Sequence, residues 1–210
     1  MISSWRRPDK ICDTIASLVN TCSDVSRMEI VIRFHQNDPI SIRMIPEYLA
    51  MAPEGTFKIL VGSEYEGYKS LSAYYEEIAD LCVGTHLWIM NDDVIIEGHG
   101  WDTQIHDGDF VFIPESHYLN ASLYTKDPSC AWMIYPNKVW TRLGFDHLQN
   151  PLDTWMYNVL KDLNFTNVFM PGITAKHSRL TGKELKSNYD MTTEEYVRRY
   201  NAGEHQKNKQ

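Results

Sequence analysis

Residues 86–93 read HLWIMNDD. The apolar run from His86 to Met90 is too short for a helix and stops abruptly on Asn91-Asp92-Asp93. It therefore reads as a buried strand that delivers one amide and two carboxylates at its carboxyl end. Just upstream, Leu71, Tyr75, Ile78 and Leu81 recur at helical spacing and predict a helix from about Tyr68 to Val83. Before that helix, Thr56 to Val61 (TFKILV), closed by Gly62, and Met28 to Phe34 (MEIVIRF), ending in polar His35 to Asp38, read as strands rich in β-branched residues. Pro8 opens an earlier helix with Ile11, Ile15, Leu18, Val19 and Cys22 on one face, proline being favoured at a first helical position. Strands alternating with helices at this spacing give βαβ units. The fold class expected is α/β, a single Rossmann-like domain with a mostly parallel central sheet flanked by helices.

The second half is less regular. Asp109 to Ile113 and Ala131 to Tyr135 read as strands, and Pro151 to Leu163 as a helix with Leu152, Trp155, Met156, Val159, Leu160 and Leu163 on its apolar side. Asn167 to Met170 reads as a short strand stopped by Pro171-Gly172, followed by a loop from Gly172 to Gly182. Thr192 and Glu195 form a capping-box pattern for a last helix, and Gly203 to Gln210 is a polar tail. The division expected is a domain over residues 1–182 and a helical arm with a frayed tail over 183–210.

Composition narrows the function classes. The 210 residues carry 20 basic and 28 acidic side chains, a net charge of −8, with 43% hydrophobic residues, which excludes a mainly disordered chain. The acidic balance argues against nucleic acid as a partner, since phosphate neutralisation needs clustered Lys and Arg. No apolar run approaches the roughly 18 residues that span a bilayer, and no apolar signal segment opens the sequence. Cys12, Cys22, Cys82 and Cys130 show no metal-binding spacing. They read as thiols of a reducing compartment, so the expected location is cytoplasmic.

Ligands of open α/β sheets bind beyond the carboxyl ends of the strands, so the residues that follow each strand are the candidates. Asn91, Asp92 and Asp93 offer hard oxygen donors of the kind magnesium and manganese take together with phosphate oxygens, although an Asn-Asp turn that merely ends a strand has the same composition. Asp153 falls in the first turn of the Pro151 helix. There an acid either stabilises the helix dipole or, beside a metal, serves as a general base. His177 follows the last strand as a candidate ligand. Arg6-Arg7 next to the start of the Pro8 helix form a candidate anion site or a solvated charge pair. Asp38, after the Met28 strand, is placed to accept hydrogen bonds from a base or ribose.

In order and context these segments resemble the type A glycosyltransferases, particularly the inverting family-2-like enzymes. SWRRP resembles the loop after the first strand, and EIVIRFHQND the second strand with its nucleotide-contacting acid. GSEYEGYKSLSAYYEEIADLCVGTHLWIMNDDV is similar to the glycine-containing loop, helix and strand that lead to the D-x-D motif. GHGWD and LGFDHLQNPLDTWMYNVL are similar to the acceptor-side loop and the helix bearing the catalytic base. The resemblance covers most of residues 4 to 178. It departs from the family pattern in having Asn91 at the first motif position. It also leaves only Met1-Ile2-Ser3-Ser4 for a first strand that is usually long.

The resemblance implies a nucleotide-diphosphate donor (UDP-, GDP-, CDP- or TDP-linked), a sugar or other hydroxyl acceptor, and Mn²⁺ or Mg²⁺ as cofactor. It implies Asp93, with His177 and Asn91, at the metal, and Asp92 at the sugar or ribose. Arg6, Arg7, Asp38 and Gly67 would line the donor site, Trp101 and Asp102 would face the acceptor, and Asp153 would act as base. A metal-dependent hydrolase or nucleotidyltransferase using the same acids, and a non-catalytic sugar- or nucleotide-binding module of the same fold, are the alternatives.

Overall fold

The computed structural model describes residues 1–63, 71–116, 132–140 and 152–177. Its first sheet is built from β1 (Ile2–Ser4), β2 (Ile30–His35), β3 (Phe57–Gly62) and β5 (Met90–Asn91), in the order β3-β2-β1-β5 and parallel throughout. The chain runs 1, 2, 3 to one side and then places β5 on the other side of β1. The topological switch therefore lies between β1 and β5, where a ligand crevice is expected. β1 pairs with both neighbours: Ile2 is in register with Ile32 and with Met90.

Helix α1 (Pro8–Thr21) covers one face of this sheet and α4 (Leu71–Ala79) the other; two five-residue helices, α2 (Pro39–Arg43) and α3 (Ile45–Leu49), link β2 to β3. Strand alternation sorts the core. Ile30, Ile32 and Phe34 join Ile11, Ile15 and Leu18 of α1, whereas Val31 joins Tyr75 and Ile78 of α4. Ile11 and Ile15 are fully buried, each a contribution of about 1.5–3 kcal/mol. Arg33 points to the α4 side and is fully buried as well. It donates to Glu77 Oε2 at 2.6 Å and to the Ser63 carbonyl at 2.5 Å, and its guanidinium lies 4.2 Å over the Tyr74 ring.

The second sheet is mixed, in the order β4-β8-β7-β9-β6, from β4 (His86–Trp88), β6 (Val94–Glu97), β7 (Phe110–Ser116), β8 (Ile134–Pro136) and β9 (Thr166–His177). Helix α5 (Leu152–Asp162) packs Trp155, Met156, Val159 and Leu160 into the same cluster as Tyr75, Ile78, Val111 and Ile113.

Two sequence expectations are corrected here. The run His86 to Met90 is not one strand. It divides at Ile89, with Trp88 paired to Ile134 in the second sheet and Met90 paired to Ile2 in the first. Nor does Pro171-Gly172 end a strand. β9 continues to His177, and its register with β7 jumps from Pro114–Met170 to Glu115–Thr174, so residues 171–173 form an irregularity that accommodates a proline. Gly172 sits at φ +74 there, and Gly98 (φ +91) approaches so closely that a Cβ on it would fall onto the Gly172 carbonyl. The Thr192–Glu195 helix and the arm over 183–210 lie outside the described residues.

Candidate active site

The site grows from the carboxyl ends of β1 and β5, side by side at the switch point. Ser4, the last residue of β1, donates its hydroxyl to Asp92 Oδ2 at 2.8 Å. Arg7, the residue before α1, places Nη1 3.1 Å from Asp92 Oδ1 and 3.0 Å from Asp93 Oδ2, so one nitrogen bridges both acids. Asp92 and Asp93 are buried, at 6% and 1% exposure. Burial pushes the Asp92 carboxyl above its usual pKa, and the Arg7 charge and Ser4 hydroxyl offset that only in part. Asn91 is in register with Ser3 across β1–β5.

The turn between β1 and α1 is shaped by Asp38. Arg6 has the left-handed φ of +56, unusual for a residue with a side chain, and its amide donates to Asp38 Oδ2 at 2.5 Å. The other oxygen of Asp38 accepts from the Ser41 amide at 3.1 Å and caps α2. Burial acts to raise the Asp38 pKa, but hydrogen bonds from Ser41 and the Arg6 amide outweigh it and hold the carboxyl below its usual range. Asp38 thus sets the path of the Arg6-Arg7 turn from inside the protein.

Trp5, 39% exposed, carries the Arg6 guanidinium 4.8 Å above its ring and stacks on His35 at 5.7 Å. These contacts fix the Trp5–Arg6 segment at the carboxyl ends of β1 and β2. Ser4, Trp5 and His35 were not singled out from the sequence. The signal was their position at the carboxyl ends of β1 and β2, next to Arg6 and Asp38.

The backbone brings one further candidate to this end. His177 is in register with Val94, the residue after Asp93, so it closes a strand and does not lie in a loop. Helix α5 turns into β9 through residues 163–165, held by hydrogen bonds from the Leu163 amide to the Val159 carbonyl and from the Phe165 amide to the Leu160 carbonyl. Asp153 falls in the first turn of α5. The Asp153 and His177 side chains, and Gly67, lie outside the described set.

Trp101 and Asp102 are not brought to this end. α1 begins beside Asp92 and runs 14 residues, about 21 Å. At its far end the Gly100 amide donates to the Thr21 carbonyl. Trp101 is a core residue, T-shaped on Trp88 at 5.2 Å. Asp102 accepts the Ser23 and Asp24 amides at 2.7 and 3.1 Å. Both belong to the packing that closes α1.

Several solved structures share this architecture. The chain matches Staphylococcus aureus TarS over 85% of its own length and 36% of that chain, at 11% identity and a TM-score of 0.65. It matches GalNAc-T7 in complex with UDP, GalNAc and Mn²⁺ over 94% of its length and 47% of that chain, at 13% identity and a TM-score of 0.64. The mannosyltransferase PcManGT from Pyrobaculum calidifontis, in complex with GDP-Man and Mn²⁺, is matched over 87% and 56% of the respective chains, at 9% identity and a TM-score of 0.66. The fold is that of the type A glycosyltransferases. The chain spans about a third to just over a half of the length of these neighbours. No protein-family model and no curated protein sequence matches it.

The acids fit a divalent cation. Asp92 and Asp93 supply hard oxygen donors, and a cationic group, the Arg7 guanidinium, already bridges them. Among the described residues, no group of three His, Cys, Asp or Glu side chains converges on one point. No described helix is long and apolar enough to cross a membrane, and Cys12, Cys22 and Cys82 are free thiols.

Proposed function

We propose that the chain is a nucleotide-sugar-dependent glycosyltransferase that moves a sugar from a UDP-, GDP-, CDP- or TDP-linked donor to an acceptor hydroxyl, with inversion at the anomeric carbon. The observation that carries this reading is the meeting of Asp92, Asp93 and Arg7 at the switch point of a parallel sheet. Carboxylates and a guanidinium at one crevice suit a ligand that presents phosphates together with a cation. The neighbours' complexes with UDP, UDP-GlcNAc, GDP-Man and Mn²⁺ support the same ligand class.

In this reading Asp93, with Asn91 and His177, would hold Mn²⁺ or Mg²⁺, and Asp92 would offer an oxygen to the same cation as well as contacting the donor sugar or ribose. When bound, the ion supplies Lewis-acid stabilisation of the charge on the departing diphosphate. Arg6 and Arg7 add positive charge for the departing diphosphate. Asp38 holds the Arg6 turn in place. Asp153 takes the proton from the acceptor hydroxyl as its oxygen bonds to the anomeric carbon and the bond to the diphosphate oxygen breaks. Attack opposite the leaving group inverts the centre.

Substituting Asp153→Asn tests the base. The amide cannot accept the proton, and transfer is expected to fall by at least about 10²-fold, while affinity for the nucleoside diphosphate stays near wild type. Loss of both together would refute the assignment.

A further inference from the structure

Arg7 has a place at the site that a fixed phosphate ligand would not need. Its Nη1 lies on the two oxygens, Asp92 Oδ1 and Asp93 Oδ2, that a cation held between these residues would use. The partners are unequal in burial. The Asp92 and Asp93 side chains are 9% and 1% exposed, whereas that of Arg7 is 43% exposed. The acids are therefore fixed in the fold, the Ser4 hydroxyl holding Asp92, while the arginine that bridges them is the more exposed partner.

We propose that Arg7 is the resident counter-cation of the Asp92–Asp93 pair, and that it gives up this place to the incoming divalent cation and turns to the donor's diphosphate. The inference rests on reading the two acids as the divalent-cation pair. Its physical basis is exclusion. Adjacent buried carboxylates require a cation to offset their desolvation, and a guanidinium and a metal ion cannot hold the same two oxygens while repelling each other at contact distance. Metal entry thus displaces Arg7, and a diphosphate that draws Arg7 away opens the pair to metal. Binding of metal and nucleotide are then coupled through one side chain, and by linkage each favours the other equally.

The test is binding of Mn²⁺ alone, without nucleotide, followed by loss of the free-ion electron paramagnetic resonance signal. Wild type, Arg7→Gln, Arg7→Lys, Arg6→Gln and Asp93→Asn are compared, with circular dichroism confirming the fold of each. Arg7→Gln removes the competitor and is expected to tighten Mn²⁺ binding about tenfold, equivalent to about 1.4 kcal/mol. Arg7→Lys, which keeps a charge but loses the planar fork, is expected to fall between. Arg6→Gln removes an equal charge that does not touch the acids and is expected to change affinity little. Asp93→Asn is expected to abolish binding. If Arg7→Gln binds no more tightly than wild type while Asp93→Asn still abolishes binding, the exchange is overturned and the metal pair stands. If Arg6→Gln tightens binding as much as Arg7→Gln, general charge explains the effect and the exchange is overturned. If Asp93→Asn leaves Mn²⁺ binding intact, the pair is not the metal site and the proposal falls with it.

Discussion

Replacing Asp102 by alanine separates a structural role from a catalytic one. The carboxylate is buried and accepts two backbone amides, from Ser23 at 2.7 Å and Asp24 at 3.1 Å, so it closes the chain just after α1. Burial raises its pKa, but these hydrogen bonds outweigh burial and hold it below the usual carboxylate range. Hydrogen bonds to a charged group contribute about 1.5–3 kcal/mol each. Since water can reach part of the vacated space, a net loss of about 3 kcal/mol is expected. For a chain of this size that lowers Tm by roughly 6–12 °C, measurable by differential scanning fluorimetry or circular dichroism. Asp102→Asn keeps one strong acceptor and is expected to lose about half as much. The pH dependence has a fixed sign. A carboxylate whose folded pKa is depressed stabilises above its unfolded value of about 3.9 and loses that contribution as pH falls through the folded pKa. The gap between wild type and Asp102→Ala therefore closes in acid. Because Asp102 lies at the far end of α1 from Asp92, nucleotide affinity is expected to survive at temperatures where the variant is folded. An unchanged Tm with lost transfer would refute this reasoning and return Asp102 to the acceptor side.

Two further substitutions probe the frame of the site. Gly98→Ala puts a methyl group onto the Gly172 carbonyl at a φ of +91, and strain plus clash are expected to cost about 3 kcal/mol or more; a chemical-denaturation midpoint close to wild type would contradict the β6–β9 contact. Asp92→Asn is expected to raise thermal stability near neutral pH while weakening Mn²⁺ binding. Burial raises the Asp92 pKa, so its contribution to stability is present in acid and lost as pH rises through the folded pKa. A stability advantage of Asp92→Asn that failed to shrink as the pH is lowered would count against that assignment.

The parallel half of the fold was legible because its signals are local. Pro8 and the Ile11–Ile15–Leu18 stripe mark α1, and β-branched runs mark β2 and β3 to within two residues. The division of HLWIM between two sheets was not legible. Trp88 and Met90 are both buried apolar residues, and nothing at Ile89 records that the chain changes partners. Pro171-Gly172 carries a strong stop signal that pairing with β7 overrides. β6 is only four residues long, too short to show a period of its own after the acidic motif. Of the site, the acids at the end of β5 could be read from order alone. Arg7 read only as half of a basic pair, because its bridge to Asp92 and Asp93 joins residues 85 and 86 positions apart. The positions of Trp101 and Asp102 were misjudged for the same reason: whether an aromatic and an acid face a ligand or close a helix depends on burial, which the sequence around them does not encode.

The central claim, a nucleotide-diphosphate site completed by a cation at Asp92 and Asp93, is tested most directly by thermal stabilisation with UDP, GDP, CDP and TDP, each with and without Mn²⁺. The account predicts that one of these raises Tm only when Mn²⁺ is present, and that Asp93→Asn removes the effect. Stabilisation that is equal without metal, that persists in Asp93→Asn, or that is produced by free sugar alone would contradict it.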